Sequence, residues 1–357
     1  MKILTISIAA YNVEAYIEQC LNTFADKRLN ETLEVLIIND GSTDGTVQIC
    51  ERYVRQYPEI FRLINKENGG HGSTINMGIR EATGKYYRPV DGDDWIDTEN
   101  LIVVIGKLMN VDSDLIITDY VHYQMEVGLL PVRNFKFLPK EQNLLFNDII
   151  LKEPIIFHNS IYKTNLLKKN NIFISEKVFY DDTEYSLYPM QFVNSFFYIP
   201  MVLYYYRLGR QGQSVSIENL IKNRNDLRQI IKKSFLFFNV NKQKQSMKSY
   251  YRIRIHDVLN LYFNMTLSDL WISAGKKMTK ENQLFYKGLL FISPCLFLSF
   301  MAKDKIRWVM LITWFSCDVQ LLSSQKKWCY LKNRYLKSNL VLKGIVTMIN
   351  NIRKEKK

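Results

Sequence analysis

Cysteine is scarce and poorly placed for cross-linking. The five cysteines (Cys20, Cys50, Cys295, Cys317 and Cys329) make an odd total and include no C-x-x-C pair. That pattern gives no structural zinc signature and suits a reducing cytoplasm. Long apolar runs are also lacking. The nearest approaches, Leu289 to Ala302 and Trp308 to Cys317, are separated by a charged break. Each falls short of the roughly 20 residues that span a bilayer. Met1 to Ala10 is too short for a signal peptide and runs straight into Tyr11-Asn12-Val13-Glu14, so it reads as a buried strand. There is no internal repeat, no low-complexity tract and no recognised nucleic-acid motif, so nucleic acid is not an expected partner.

What is present is a large apolar and aromatic complement. Of the 357 residues 47% are hydrophobic, with 22 Tyr and 20 Phe, enough for one large domain or two ordinary ones. The net charge of +13 conceals a division. Residues 220–357 carry 27 Lys+Arg against 7 Asp+Glu, whereas the preceding part carries 21 against 28. An acidic front and a strongly basic back imply different partners, and basic segments commonly meet anionic lipid or phosphate-bearing substrates.

The front half alternates strand and helix. Residues 2–9 read as a strand, Val13 to Phe24 as an amphipathic helix and Leu33 to Ile38 as a second buried strand. A turn cluster at Asn39 to Thr46 follows, with Ser42 and Asp44 as expected N-caps, then a helix to Tyr57. Phe61 to Ile64 is a third strand, and Ser73 to Ala82 a helix closed by Gly84. The pattern predicts an α/β fold with a doubly wound, mostly parallel sheet and helices on both faces. Ligands of such sheets bind at the C-terminal ends of the strands. Ala9–Asn12, Asp40, Asn68–Gly72 and Asp91–Asp94 should therefore share one edge. Further on, Thr98 to Met109 reads as a helix, Asp114 to Tyr123 as a strand, Val132–Phe137 and Ile155–Ile161 as strands, and Gln142–Leu151 as a helix. Ser195 to Ile199 and Val202 to Arg207 read as two strands. Near residue 217 the texture changes to long basic helical stretches, so residues 1–217 are expected to form one domain and 218–357 a separate helical, basic region.

The acidic stretch Asp91-Gly92-Asp93-Asp94 ends an apolar run. Asp91 and Asp93 are two apart, and Gly92 lets the backbone fold so that both carboxylates converge. Taken alone this is either a surface turn or a site for a hard divalent cation carrying a substrate's phosphates. Its place level with three other polar turns favours the site.

Five motifs in order resemble glycosyltransferase family 2, the inverting GT-A type. They are Ser7-Ile8-Ala9-Ala10-Tyr11-Asn12; Ile38-Asn39-Asp40-Gly41-Ser42-Thr43-Asp44-Gly45-Thr46; Asp91-Gly92-Asp93-Asp94; Asp181-Asp182; and Tyr206-Arg207 with Ser214-Val215-Ser216. The resemblance covers residues 1–217, roughly the first three fifths of the chain, and implies that they form a nucleotide-sugar-binding catalytic domain, with 218–357 a helical, basic, membrane- or acceptor-associating region. Two departures stand out: Ala10 replaces a frequent proline, and Thr74-Ile75-Asn76 lacks the usual arginine. The family's late pair usually begins with Glu, where Asp181 stands here.

The resemblance implies transfer of a sugar, as a hexosyl- or N-acetylhexosaminyltransferase, from a nucleotide sugar, UDP-linked by preference, to a glycan or polyprenyl-linked acceptor in bacterial cell-surface polysaccharide synthesis. Mg2+ or Mn2+ on Asp91 and Asp93 would act on the diphosphate. Arg207 would add a fixed cation there, and Ser214 would close over the phosphates. Tyr11 would stack on the base and Asp40 would accept from a ring N–H, with Asn12, Asn68 and Asn76 nearby. Asp182 would be the general base, with Asp181 orienting it or capping the following helix. The basic back half and its short apolar stretches fit a protein that is cytoplasmic and peripheral on the inner face of an anionic membrane. Two other functions fit the sequence less well. A nucleotidyltransferase should carry a Gly-rich phosphate loop where Ala9-Ala10-Tyr11-Asn12 stands. A non-catalytic, membrane-associated nucleotide-sugar-binding module would have no use for Asp91, Asp93 and Asp182.

Overall fold

Ten strands form one sheet in the computed structural model, which describes residues 2–125, 127–149, 151–210, 213, 217–241, 245–272 and 280–302. The described residues divide into two compact units. The first is Met1–Gln213 with Lys244–Tyr250, and the second lies within Ser214–Gln243 and Tyr251–Lys357.

In the first unit, β1 (Leu4–Ala10) runs parallel between β2 (Leu33–Asn39) and β4 (Tyr86–Asp91), and β3 (Phe61–Asn65) lies parallel outside β2. Strands β1 and β2 are buried on both faces, as their near-continuous Ile, Val and Leu content requires, whereas the edge strand β3 buries only Phe61. Their crossovers are α1 (Glu14–Asn22), α2 (Thr46–Gln56) and α3 (His71–Glu81). After β4 come the short β5 (Trp95–Ile96), α4 (Thr98–Asn110) and β6 (Leu115–Gln124). The two-residue β7 (Gly128–Leu129) pairs with β6, and β8 (Asn143–Leu145), β9 (Ser160–Lys163), α5 (Thr164–Lys169), α6 (Asp182–Leu187) and β10 (Ser195–Leu208) follow. The sheet order is β3-β2-β1-β4-β9-β6-β10-β5. Strand β9 is antiparallel between β4 and β6, while β6 and β10 are parallel, so the sheet is mixed around a parallel core.

The middle of the chain departs from expectation. Among the described residues of 142–151 no helix forms; β8 and a 3-10 turn at Phe146–Asp148 stand there. Phe146 alone of that turn is buried, so the segment has no apolar stripe to dock. The stretch 132–137 contributes only an isolated bridge between Tyr120 and Arg133. The expected strand at 155–161 is a 3-10 turn, Phe157–Asn159, leading into β9. The two late strands are one, β10, whose pairing with β6 shifts register between Ile199 and Tyr204, beside Pro200. Helix α2 starts at Thr46, inside the turn cluster, with Gly45 and not Ser42 or Asp44 at the N-cap position. Asp44 Oδ1 accepts from Thr46 N at 3.1 Å, and its Oδ2 accepts from Glu14 N at 3.1 Å.

The second unit consists of α7 (Ile217–Lys222), α8 (Arg224–Asn241), α9 (Gln245–Ile272, whose first turns belong to the first unit), α10 (Lys280–Ile292) and α11 (Pro294–Met301). Leu227, Ile231 and Phe235 of α8, Leu259 and Phe263 of α9, and Phe297 and Phe300 of α11 are fully buried. Arg228 donates to Tyr262 Oη at 2.5 Å and to Asn282 Oδ1 at 2.6 Å. Phe291 is 86% exposed and Leu284 60% exposed. Among the described residues no helix is long and apolar enough to cross a membrane. The apolar stretch Trp308 to Cys317 lies outside the described residues.

Candidate active site

The parallel strands β1, β2 and β4 end together, and their terminal residues are tied by side chains. Asn12, held at φ 49°, accepts from Thr43 N at 2.8 Å, and its own N–H donates to Ser42 Oγ at 3.1 Å. Tyr11 beside it is 50% exposed, an open ring face at the mouth of the cluster.

Asp40 faces inward. Its oxygens accept from the N–H groups of Gly69 and Gly70, both at 2.9 Å, from Ser73 Oγ at 3.3 Å, and from the Lys66 ammonium. Asn68 Nδ2 donates to its carbonyl at 3.0 Å. Its carboxylate fills the concavity formed by backbone N–H groups at the start of α3 and orders the Gly-rich loop. Asn76 is also engaged within the chain. It accepts from Ile174 N at 2.8 Å and donates to Ile174 O at 2.8 Å and to Glu176 Oε1 at 3.0 Å, so its amide clamps the 174–176 loop to α3. Gly72 permits the approach, since a Cβ there would stand 2.1 Å from Ser175 O.

That clamp brings the late acidic pair to the end of β4. His71, the first residue of α3, places Nδ1 2.9 Å from Asp181 Oδ1 and Nε2 3.0 Å from Asp91 Oδ1. Burial opposes charge on the ring, but Asp181 and then Asp91 outweigh it and raise the pKa well above the ordinary 6.5. Asp91, in turn, is resisted by burial but held below the usual carboxylate range by His71, with His158 and Arg210 adding to the effect. Asp181 is 3% exposed, and its Oδ2 is buried without a hydrogen bond. Asp182, next in line at the start of α6, is half-buried. Its charge is one of four, with Asp94, Asp91 and Asp93, that follow burial in raising the Tyr206 phenol.

The acidic turn divides its carboxylates. Gly92 does not adopt positive φ; its N–H donates to Ala9 O at 3.0 Å, and a Cβ would lie 2.8 Å from that oxygen. The glycine supplies room for the turn to lie on β1 and α1. Asp93 Oδ2 meets Arg210 Nε, while burial and then the charge of Asp91 raise its pKa above the usual carboxylate range. The third carboxylate, Asp94, accepts from Tyr204 Oη at 2.6 Å and Arg207 N at 2.8 Å. Burial, then Asp93 and Asp91, raise its pKa well above the usual range. Asp91, Asp94 and His158 each offer one ligand atom, and these atoms lie within 4.8 Å of one another.

His158, absent from the expected set, sits on the 3-10 turn before β9. Its ring stacks on Tyr206 at 4.2 Å and meets Tyr204 edge-on at 4.9 Å. Beneath it Arg88 of β4, fully buried, donates to His158 O and to Thr118 Oγ1 (3.2 Å) and lies 5.2 Å from the Tyr204 ring centre. Burial lowers its pKa to about 10, so it stays charged at neutral pH.

Arg207 was expected at the leaving group. It is 7% exposed, donates Nε to Asp93 O at 2.8 Å and Nη2 to Gln19 Oε1 at 2.5 Å, and is caged by Trp95 (4.8 Å), Tyr16 (5.1 Å) and Tyr123 (5.9 Å). Ser214 lies outside the described residues. Arg210 and His158 carried no motif of their own. An arginine three residues past the Tyr-Arg pair and a lone histidine before a strand become site residues only through the sheet.

The sequence model of the Glycosyl transferase family 2 matches residues 5–170. A cholesterol galactosyltransferase of Borreliella burgdorferi is 25% identical over 285 residues, covering 72% of this chain and 75% of that protein. The poly(ribitol-phosphate) beta-N-acetylglucosaminyltransferase TarS of Staphylococcus aureus is 29% identical over 216 residues, covering 59% of this chain but only 36% of that protein. The crystal structure of S. aureus TarS 1–349 in complex with UDP-GlcNAc has a similar fold, with a TM-score of 0.61 at 22% identity over 90% of this chain and 89% of that one.

Proposed function

We propose that this chain, whose residues 5–170 belong to glycosyl transferase family 2, moves a sugar from a UDP-sugar to a hydroxyl of a polymeric or lipid-linked glycan with inversion at the anomeric carbon. The observation that carries this reading is the His71 bridge. It joins Asp91, at the end of β4, to Asp181, ninety residues later, and so sets a carboxylate group suited to a leaving diphosphate beside one suited to an attacking hydroxyl. The relative TarS, named for N-acetylglucosamine transfer to poly(ribitol phosphate) and crystallised with UDP-GlcNAc, supports the UDP-linked donor and the polymeric acceptor.

Asp182 acts as the base. It receives the acceptor hydroxyl's proton as the oxygen bonds to the anomeric carbon. The bond from that carbon to the diphosphate oxygen breaks on the opposite face, and the electron pair leaves with the nucleoside diphosphate. Asp181, buried against His71, acts as a positioning residue for this carboxylate. Tyr11 offers its exposed face to the base. Asp91 and Asp94 would hold Mg2+ or Mn2+ through the carboxylate oxygens that such hard cations take, with a ring nitrogen of His158 within 4.8 Å of those oxygens. A divalent cation there supplies positive charge against the developing charge of the diphosphate. For the acceptor end, the basic second unit with its exposed Phe291 and Leu284 supports docking on the anionic inner face of a membrane.

The test is release of nucleoside diphosphate from a panel of nucleotide sugars with Mn2+, with and without membrane acceptor. Release from a UDP-sugar that grows with acceptor supports the reading. No release from any donor would refute it.

A further inference from the structure

Strand β10 carries four tyrosines, Tyr198, Tyr204, Tyr205 and Tyr206. Three of them donate their hydroxyl to a carboxylate: Tyr198 to Asp119 at 2.8 Å, Tyr204 to Asp94 at 2.6 Å and Tyr205 to Asp97 at 3.5 Å. Tyr206 is half-buried, and among the described residues its Oη makes no hydrogen bond. We propose that this hydroxyl donates to an oxygen of the transferred sugar, so that Tyr206 is a contact for the sugar of the donor. The inference rests on the transferase reading above.

The strand places Tyr206 in the site. It stands two positions beyond Tyr204, on the same face of β10, and Tyr204 is the residue that holds Asp94. Packing fixes its ring. The ring stacks on His158, with centres 4.2 Å apart and 24° between the planes. His122, its partner across the β6–β10 pair, meets it edge-on at 5.4 Å. A ring nitrogen of His158 lies within 4.8 Å of carboxylate oxygens of Asp91 and Asp94. The phenol therefore adjoins the end of the site suited to the diphosphate.

The same phenol adjoins the end suited to the acceptor. After burial, the charges acting on it are those of Asp94, Asp91, Asp182 and Asp93. In an inverting displacement the anomeric carbon lies between the leaving diphosphate and the base. The transferred sugar is thus the part of the substrate that lies between the two ends. A buried hydroxyl that pairs only with the correct substrate is an effective means of selection. Because the ring is already held on two sides, the contact costs little ordering entropy when the sugar arrives.

Tyr206→Phe keeps both ring contacts and removes the hydroxyl alone. By calorimetry with Mn2+ and no acceptor, UDP should bind the variant as it binds the unaltered protein. Whichever of UDP-GlcNAc, UDP-glucose and UDP-galactose binds the unaltered protein most tightly should bind the variant about 3–10-fold more weakly, the loss of one hydrogen bond. The kcat/KM for transfer from that donor should fall by at least as much. Unchanged affinity for the UDP-sugar would overturn the proposal and leave Tyr206 a packing residue. An equal loss for UDP and the UDP-sugar would overturn it too, as a general loosening of the site. So would a loss seen only when acceptor is present, which would give the hydroxyl to the acceptor. Failure of the unaltered protein to bind UDP would instead overturn the transferase reading on which the proposal rests.

Discussion

Replacing His71 by alanine isolates the contact that joins the two halves of the site. The ring lies 3.0 Å from Asp91 and 2.9 Å from Asp181, and its side chain is 30% exposed. Removing one partner of a buried ion pair costs about 3–5 kcal/mol. Partial exposure lowers that to about 2 kcal/mol, which corresponds to a fall in Tm of about 4–8 °C for a unit of some 200 residues. The pH dependence separates charge from packing. The folded pKa lies well above the unfolded 6.5, because the two carboxylates outweigh burial. The stabilisation is therefore complete below about pH 6.5, where the unfolded histidine is also protonated, and is lost as pH rises through the folded value. Thermal unfolding of metal-free protein followed by circular dichroism should show the largest gap between His71→Ala and the unaltered chain near pH 6, closing as the solution becomes alkaline. A gap that stays constant across that range would refute the ion-pair argument and reduce His71 to packing against Phe157, whose ring centre is 5.5 Å away.

Other substitutions test the remaining assignments. Asp182→Asn should lower turnover by about 10²–10⁴-fold, the usual worth of a general base, while UDP still binds by calorimetry; near-normal turnover would remove it from that role. Asp91→Ala should abolish the enhancement of UDP binding by Mn2+, and equal enhancement in the variant would exclude Asp91 as a ligand. Gly92→Ala should destabilise the fold by about 1–3 kcal/mol through overpacking, since its Cβ would stand 2.8 Å from Ala9 O; an unchanged midpoint in urea would contradict that. The full chain should sediment with vesicles rich in anionic lipid and not with zwitterionic ones, and the binding should weaken as salt is raised.

The parallel core was legible because each of its strands is a short apolar run closed by turn residues, and each crossover helix has a regular stripe. The region 124–160 was not, because its pairing depends on distant partners. Asn143 finds Phe197, and Ser160 finds Ile117, across long stretches of chain. The site was legible as a set of carboxylates but not as a set of pairings. The spacing of Asp91 and Asp93 suggested a shared cation. That spacing carries no information about Arg210, which reaches Asp93 from 117 positions away, or about Tyr204, which reaches Asp94 from 110. Asn76 and Asp40 looked like ligand contacts because they are polar residues beside a glycine-rich loop, and the same polarity serves equally well to fasten that loop.

Arg88 has a consequence for how the site responds to change. One core side chain touches the turn that bears His158, the tyrosine that holds Asp94 and, through Thr118, strand β6, while its own strand ends in Asp91. The three candidate ligands thus share a single brace made when the protein folds. Their ordering entropy is met at that moment and not when a ligand arrives. Stability and reactivity are consequently coupled through one interior residue. Substitutions that loosen the core around β4 should register first as weaker cation binding, before the fold itself gives way.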